Sequence, residues 1–170
     1  MEQILIIVIP AVLVFLTAYF LLDKMLKNDA ERRLYELRKQ NHSLLTPVRL
    51  RAYERLALFI ERISPNELTM NVLNSQMNCM QMHAKLLETI RQEYTHNIAQ
   101  QVYVSDELWE AIVAAKESLI KMINTCAASC QADDPATVLA ERIIQLYAAS
   151  QNTPTEAALE KLKEEIRKSF

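Results

Sequence analysis

ILIIVIPAVLVFLTAYFLL occupies residues 4–22, nineteen positions without a charged side chain. At about 1.5 Å of rise per residue, a helix of this length approaches the roughly 30 Å hydrocarbon core of a bilayer. The run predicts a single transmembrane helix. A cleaved signal peptide is the competing reading, but Glu2 is the sole charge ahead of the run, and no Ala-x-Ala site follows it. The run also exceeds an ordinary signal-peptide core, which favours an uncleaved anchor. Pro10 sits in its first half, and Tyr19 and Phe20 suit the membrane interface.

The flanks set the orientation. No Lys or Arg precedes the run, whereas Lys24, Lys27, Arg32, Arg33, Arg38 and Lys39 follow it closely. The positive-inside rule then puts the N-terminus outside and everything after Leu22 in the cytoplasm. Charge is uneven beyond that point. Asp23 to Pro65 carries ten basic and six acidic residues, a balance of +4. Asn66 to Phe170 carries nine basic and fourteen acidic ones, a balance of −5. A basic stalk under an acidic body suits a domain held beside anionic lipid and argues against nucleic-acid binding.

The chain contains no glycine. It lacks the residue that enters left-handed backbone conformations at little steric cost, so tight hairpins and phosphate-cradling loops are disfavoured and unbroken helices favoured. P-loop and dinucleotide-binding fingerprints are excluded outright. Strand-type alternation is absent as well, which predicts an all-α protein.

From Asp23 to Leu45 the helix is expected to continue as a stalk. Ala30, Leu34, Leu37, Asn41 and Leu44 recur at spacings of four and three, a short heptad seam with Asn41 at an a-type position. The seam either joins copies of the chain in a homo-oligomer or packs on the chain's own domain.

Thr46-Pro47 reads as a fresh helix start, with Thr as N-cap and Pro at N1. The helix PVRLRAYERLALFIERI, residues 47–63, has an apolar stripe of Val48, Ala52, Leu56, Phe59 and Ile63. Its basic residues are all arginines: Arg49, Arg51, Arg55 and Arg62. Arginine forks bind carboxylate and phosphate bidentately, which points to a partner-docking face. The plainer alternative is a solvated face laced with local ion pairs.

Asn66–Met70 reads as a loop, followed by a long helix within residues 71–104 whose inward stripe is Met80, Leu87, Ile90, Tyr94 and Ile98. Glu93 and His96 stand in the i,i+3 arrangement of di-iron bundles, but no second such pair accompanies them, so no metal is expected. Ser105 caps the next helix, with Trp109 anchoring its core face. Cys126 and Cys130 lie one turn apart without further ligands and read as structural thiols, as does Cys79. Asp133-Asp134-Pro135 and Asn152-Thr153-Pro154 open the last two helices, in which Leu159, Leu162 and Ile166 face inward and Glu164 and Glu165 outward.

The run Arg49-Leu50-Arg51-Ala52-Tyr53-Glu54-Arg55-Leu56-Ala57-Leu58-Phe59-Ile60-Glu61-Arg62-Ile63-Ser64-Pro65 resembles the signature segment of an uncharacterised family of single-pass bacterial membrane proteins. Glu93-Tyr94-Thr95-His96-Asn97, Gln100-Gln101-Val102-Tyr103 and Trp109 with Ala115-Lys116 resemble it too. The resemblance covers nearly the whole chain and implies the bacterial inner membrane, without supplying an activity.

The expected architecture is a transmembrane anchor over 1–22, a juxtamembrane helical stalk over 23–45, and a cytoplasmic bundle of about five helices over 46–170. With no catalytic or cofactor motif, the expected role is a non-enzymatic scaffold or accessory subunit of a membrane-protein complex, with no cofactor. A module binding anionic lipid headgroups or a phosphate-bearing ligand through helix 47–63 is the alternative.

Overall fold

A computed structural model describes the backbone of residues 2–150 and 153–169, and side chains except at positions 2–12, 14, 18, 26, 29–31, 34 and 37–43. Every regular element among the described residues is helical. The chain divides into two units, Met1–Pro47 and Val48–Phe170.

α1 runs over Glu2–Arg62. The helix start expected at Thr46-Pro47 is therefore absent, and Pro47 lies inside α1. A mid-helix proline removes one amide donor and costs about 3 kcal/mol. Here Leu44 and Leu45 before it and Arg49 and Leu50 after it are good helix formers, and the chain has no glycine to offer a turn. In the first unit, Leu13, Phe15, Leu16, Tyr19, Phe20, Leu21 and Leu22 are all exposed, between 48% and 70%. Most side chains of residues 4–22 lie outside the described residues; among those described, no helix is long and apolar enough to cross a membrane. Of the proposed seam, Leu34, Leu37 and Asn41 have side chains outside the described residues, and Leu44 is exposed.

In the second unit, the last four turns of α1 bury Ala52, Tyr53, Leu56, Phe59 and Ile60, and Ile63 just after the helix is buried too. Ser64, in extended conformation at φ −56° and ψ 140°, ends α1, and α2 follows over Pro65–Val72. The loop expected at Asn66–Met70 is thus a helix, with Pro65 at N1, Glu67 in the first turn and Leu68 buried. Proline at N1 costs nothing, because that amide has no intrahelical partner.

α3 spans Cys79–Asn97, and a capping box fixes its start: Gln81 N donates to Asn78 Oδ1 at 2.9 Å, and Asn78 N donates to Gln81 Oε1 at 3.2 Å. With that phase the buried stripe is Met82, Leu86 and Ile90, whereas Met80 and Ile98 of the expected stripe are exposed. The helix gives way at Ile98–Tyr103 to a 3-10 segment rather than continuing to Val104.

α4, Asp106–Ala128, starts where Ser105 Oγ accepts from Leu108 N, as the cap chemistry predicts. Leu108, Ile112, Ala115, Leu119 and Ile123 form its buried face. α5 covers Ala136–Ala148 and buries Leu139, Ala140 and Ile143, while Ile144 is left exposed. α6, Pro154–Ser169, opens on Thr153, whose hydroxyl accepts from Glu156 N while Glu156 Oε2 accepts from Thr153 N. These helices share one core that runs from Tyr53 to Leu162.

Candidate functional site

The arginines of α1 lead to the densest polar cluster in the second unit. Arg49 and Tyr53 are one turn apart, so both side chains project from the same edge of the helix. An Arg49 terminal nitrogen donates to the Tyr53 hydroxyl at 2.7 Å, and that hydroxyl donates to Glu165 Oε1 on α6 at 2.9 Å. The guanidinium stands 3.6 Å from the same carboxylate oxygen. Arg49 Nε also donates to the Tyr103 carbonyl at 3.2 Å.

Glu165 has a second set of donors. Ser105 N reaches Oε1 at 3.1 Å, and the Ser105 hydroxyl reaches Oε2. One carboxylate thereby ties α1 and α6 to the N-cap of α4. Its side chain is only 15% exposed, so the outward placement expected for Glu165 is corrected. Desolvation by burial, reinforced by the hydrogen bond to Glu165, raises the Tyr53 phenol above its ordinary 10.0 and keeps it protonated as the donor.

The remaining arginines divide. Arg55 donates to the His96 carbonyl at 2.9 Å, and Arg62 reaches both oxygens of Glu93 at 3.3 Å. Arg51 is exposed and makes no hydrogen bond or ion pair with the described residues. Three of the four arginines singled out in the sequence are therefore engaged by backbone or carboxylate within Val48–Phe170.

Those contacts also account for the Glu93-x-x-His96 pair, because the Glu93 carboxylate faces a guanidinium. Among the described residues no group of three or more His, Cys, Asp or Glu side chains is placed to hold a metal. Tyr94, between them, stacks on Trp109 with ring centroids 5.8 Å apart. The Lys116 ammonium stands 4.0 Å from the centre of the Tyr94 ring. These contacts hold α1, α3 and α4 together.

A model of a family of unknown function (DUF7935) matches residues 1–169. The chain belongs to that family. No curated protein and no solved structure matches it. Membership assigns none of these side chains a chemical role, so their role must come from the geometry.

A groove of about 290 Å³ is lined by residues that include Leu119, Met122, Leu146, Tyr147, Thr153 and Thr155. Its hydroxyls satisfy one another: Tyr147 Oη lies 2.9 Å from Thr155 Oγ1 and 3.1 Å from Thr153 Oγ1. Its volume sits at the lower edge of the range of small-molecule sites, roughly 300–1,000 Å³.

The sequence offered little warning of the Glu165 cluster. Arg49 and Tyr53 show the i,i+4 spacing of a local pair, but nothing near Glu165 marks a carboxylate bonded to a residue 112 positions away.

Proposed function

We propose that this chain is a single-pass, membrane-anchored, non-enzymatic scaffold or accessory subunit, whose helical domain Val48–Phe170 binds a protein of the same membrane. One observation carries the anchor: seven exposed large apolar side chains between Leu13 and Leu22 on an uninterrupted helix. Exposed apolar patches of that density mark a membrane or protein interface. The basic residues after Leu22 support an orientation with the N-terminus outside and the domain in the bacterial cytoplasm.

From Asp23 to Pro47 the helix rises about 37 Å along its axis, enough to serve as a spacer. Exposed Leu44 and the seam through Leu34, Leu37 and Asn41 support self-association of this stalk. In the domain, the clamp around Glu165 serves rigidity, and Arg51 is the arginine of α1 left for a partner's carboxylate. The lipid-headgroup alternative loses ground, because phosphate binding by Arg49, Arg55 and Arg62 would break their existing contacts.

Affinity purification of the full chain from native membranes tests the scaffold reading. A second protein should co-purify in near-equal amount and be lost on Arg51→Glu, with helical content unchanged. Recovery of the chain by itself from every membrane preparation contradicts it.

A further inference from the structure

Six hydroxyl-bearing side chains line the groove of about 290 Å³ that α4, α5 and α6 share, and five of them have their protons committed. Tyr147, Thr153 and Thr155 form a ring of contacts at 2.9, 3.1 and 3.4 Å, three contacts for three protons. Thr125 and Ser150 donate to the carbonyls of Lys121 and Leu146, one turn back along their helices. The sixth, Ser118, makes no hydrogen bond through its side chain to a described residue.

Lys121 is the sole charged residue among the described residues that line this groove. It is exposed, and its ammonium makes no hydrogen bond or ion pair with a described residue. Glu117, the carboxylate one turn before it, is taken by Lys116 at 2.8 Å. Ser118 and Lys121 stand three positions apart on α4, so their side chains are neighbours on one helix surface. Together they present a hydroxyl and an ammonium to one anion, beside the apolar side chains of Leu119, Met122 and Leu146. A lining with a cation and no acid stands apart in Asn66–Phe170, whose balance is −5. A neighbouring groove along α4 and α6, about 560 Å³, has Glu160 and Glu164 in its lining and does not suit an anion.

We propose that this groove binds a medium-chain monocarboxylate, its carboxylate on Ser118 and Lys121 and its hydrocarbon tail against Leu119, Met122 and Leu146. An apolar lining with a few polar groups that fix orientation is the usual make-up of a small-ligand site. Size sets the chain length. At roughly 30 Å³ per water-sized group, about 290 Å³ holds about ten non-hydrogen atoms. Octanoate, with eight carbons and two oxygens, fits that number; a nucleotide or a phospholipid does not.

Charge sets the head group. An alkylammonium would meet Lys121 as a like charge, and an alcohol would gain a bond from Ser118 without the ion pair. The ring of Tyr147, Thr153 and Thr155 has no proton left for the anion, so Ser118 and Lys121 carry the recognition. The groove uses no residue of α1, so the site is independent of the partner contact assigned to Arg51.

The test is titration of octanoate into the full chain in phosphatidylcholine nanodiscs, with carbon-13 at the methionine methyls and the Met122 signal assigned through Met122→Leu. The expected result is a saturable shift of the Met122 methyl, with the methyl of Met70, exposed on α2, unmoved. Octanol should bind more weakly, and octylammonium should leave Met122 unshifted. Lys121→Gln should weaken octanoate binding about fivefold, the size of an exposed ion pair, and leave octanol binding unchanged. Leu146→Glu, a change at an exposed position, should abolish the shift, and circular dichroism checks that this variant folds. An unmoved Met122 methyl overturns the proposal. So does equal affinity of the wild-type chain and Lys121→Gln for octanoate.

Discussion

The Tyr53 hydroxyl donates to Glu165 Oε1 across 2.9 Å and joins the first helix of the domain to the last. Both partners have further bonds: Arg49 donates to the same hydroxyl, and Ser105 donates twice to the carboxylate. The cluster closes the domain at the end where α1 enters it.

Removing the carboxylate should therefore cost more than removing any one donor. Glu165→Ala leaves the Tyr53 hydroxyl and the Ser105 amide and hydroxyl without their acceptor and Arg49 without its counter-ion, a loss of about 2–3 kcal/mol. Tyr53→Phe deletes one hydroxyl and should cost about 1 kcal/mol. Arg62→Ala breaks a pair whose arginine is 60% exposed, so it should cost less than about 1 kcal/mol. Urea unfolding of the three variants followed by circular dichroism orders them, and equal losses would contradict a central role for Glu165.

The same cluster sets an alkaline limit. Tyr53 is raised above 10.0 by burial, so the folded chain holds the phenol proton more tightly than the unfolded one. Its contribution is complete below pH 10.0 and is lost as pH climbs past that value toward the folded pKa. The buried thiols Cys79 and Cys126, raised above 9.0 chiefly by desolvation, act with the same sign from pH 9.0 upward. Wild-type Tm should fall more steeply above pH 10 than that of Tyr53→Phe. Parallel Tm curves would remove Tyr53 from the account.

Lys116 is a lysine facing a ring. Its side chain is 14% exposed, 4.0 Å from the Tyr94 ring centre, and paired with Glu117 at 2.8 Å. Lys116→Met keeps most of the packing volume and removes the cation, for a loss of about 1 kcal/mol. Trp109→Ala removes the ring stacked on Tyr94 and should cost roughly 3 kcal/mol. Near-ultraviolet circular dichroism, which reads the packed aromatics, should change strongly in the second variant and weakly in the first.

The start of α3 depends on its cap. Asn78→Ala removes the side-chain acceptor of the Gln81 amide and leaves only the backbone half of the capping box, which should cost about 1 kcal/mol. Hydrogen exchange would report it as faster exchange at Cys79, Met80 and Gln81, with the amides near Ile90 unchanged. Unchanged exchange at the first turn would show the cap to be dispensable.

Local chemistry was legible in the sequence and long-range pairing was not. Ser105 and Thr153 were readable as helix starts because a cap is made by residues within three positions. The same rule misled at one proline. Thr46-Pro47 and Ser64-Pro65 look alike, yet the chain passes through the first as helix and turns at the second. The difference lies in the third dimension: burying Ile63 and Leu68 together requires a turn between them, whereas nothing between Leu44 and Val48 requires one. Of the expected stripe, Ile90 is buried and Leu87 and Tyr94 pack against the core, whereas Met80 and Ile98 are exposed and Met82 and Leu86 take the inward positions. Arg49, Arg55 and Arg62 stood out in the sequence as a basic set, but their acceptors lie on elements that only folding brings near.

Alkaline carbonate extraction of membranes carrying the full chain tests the central claim most directly. The account predicts that the full chain stays with the membrane pellet, while a chain lacking residues 1–22 is released with its helical content intact. Release of the full chain into the carbonate supernatant would contradict it.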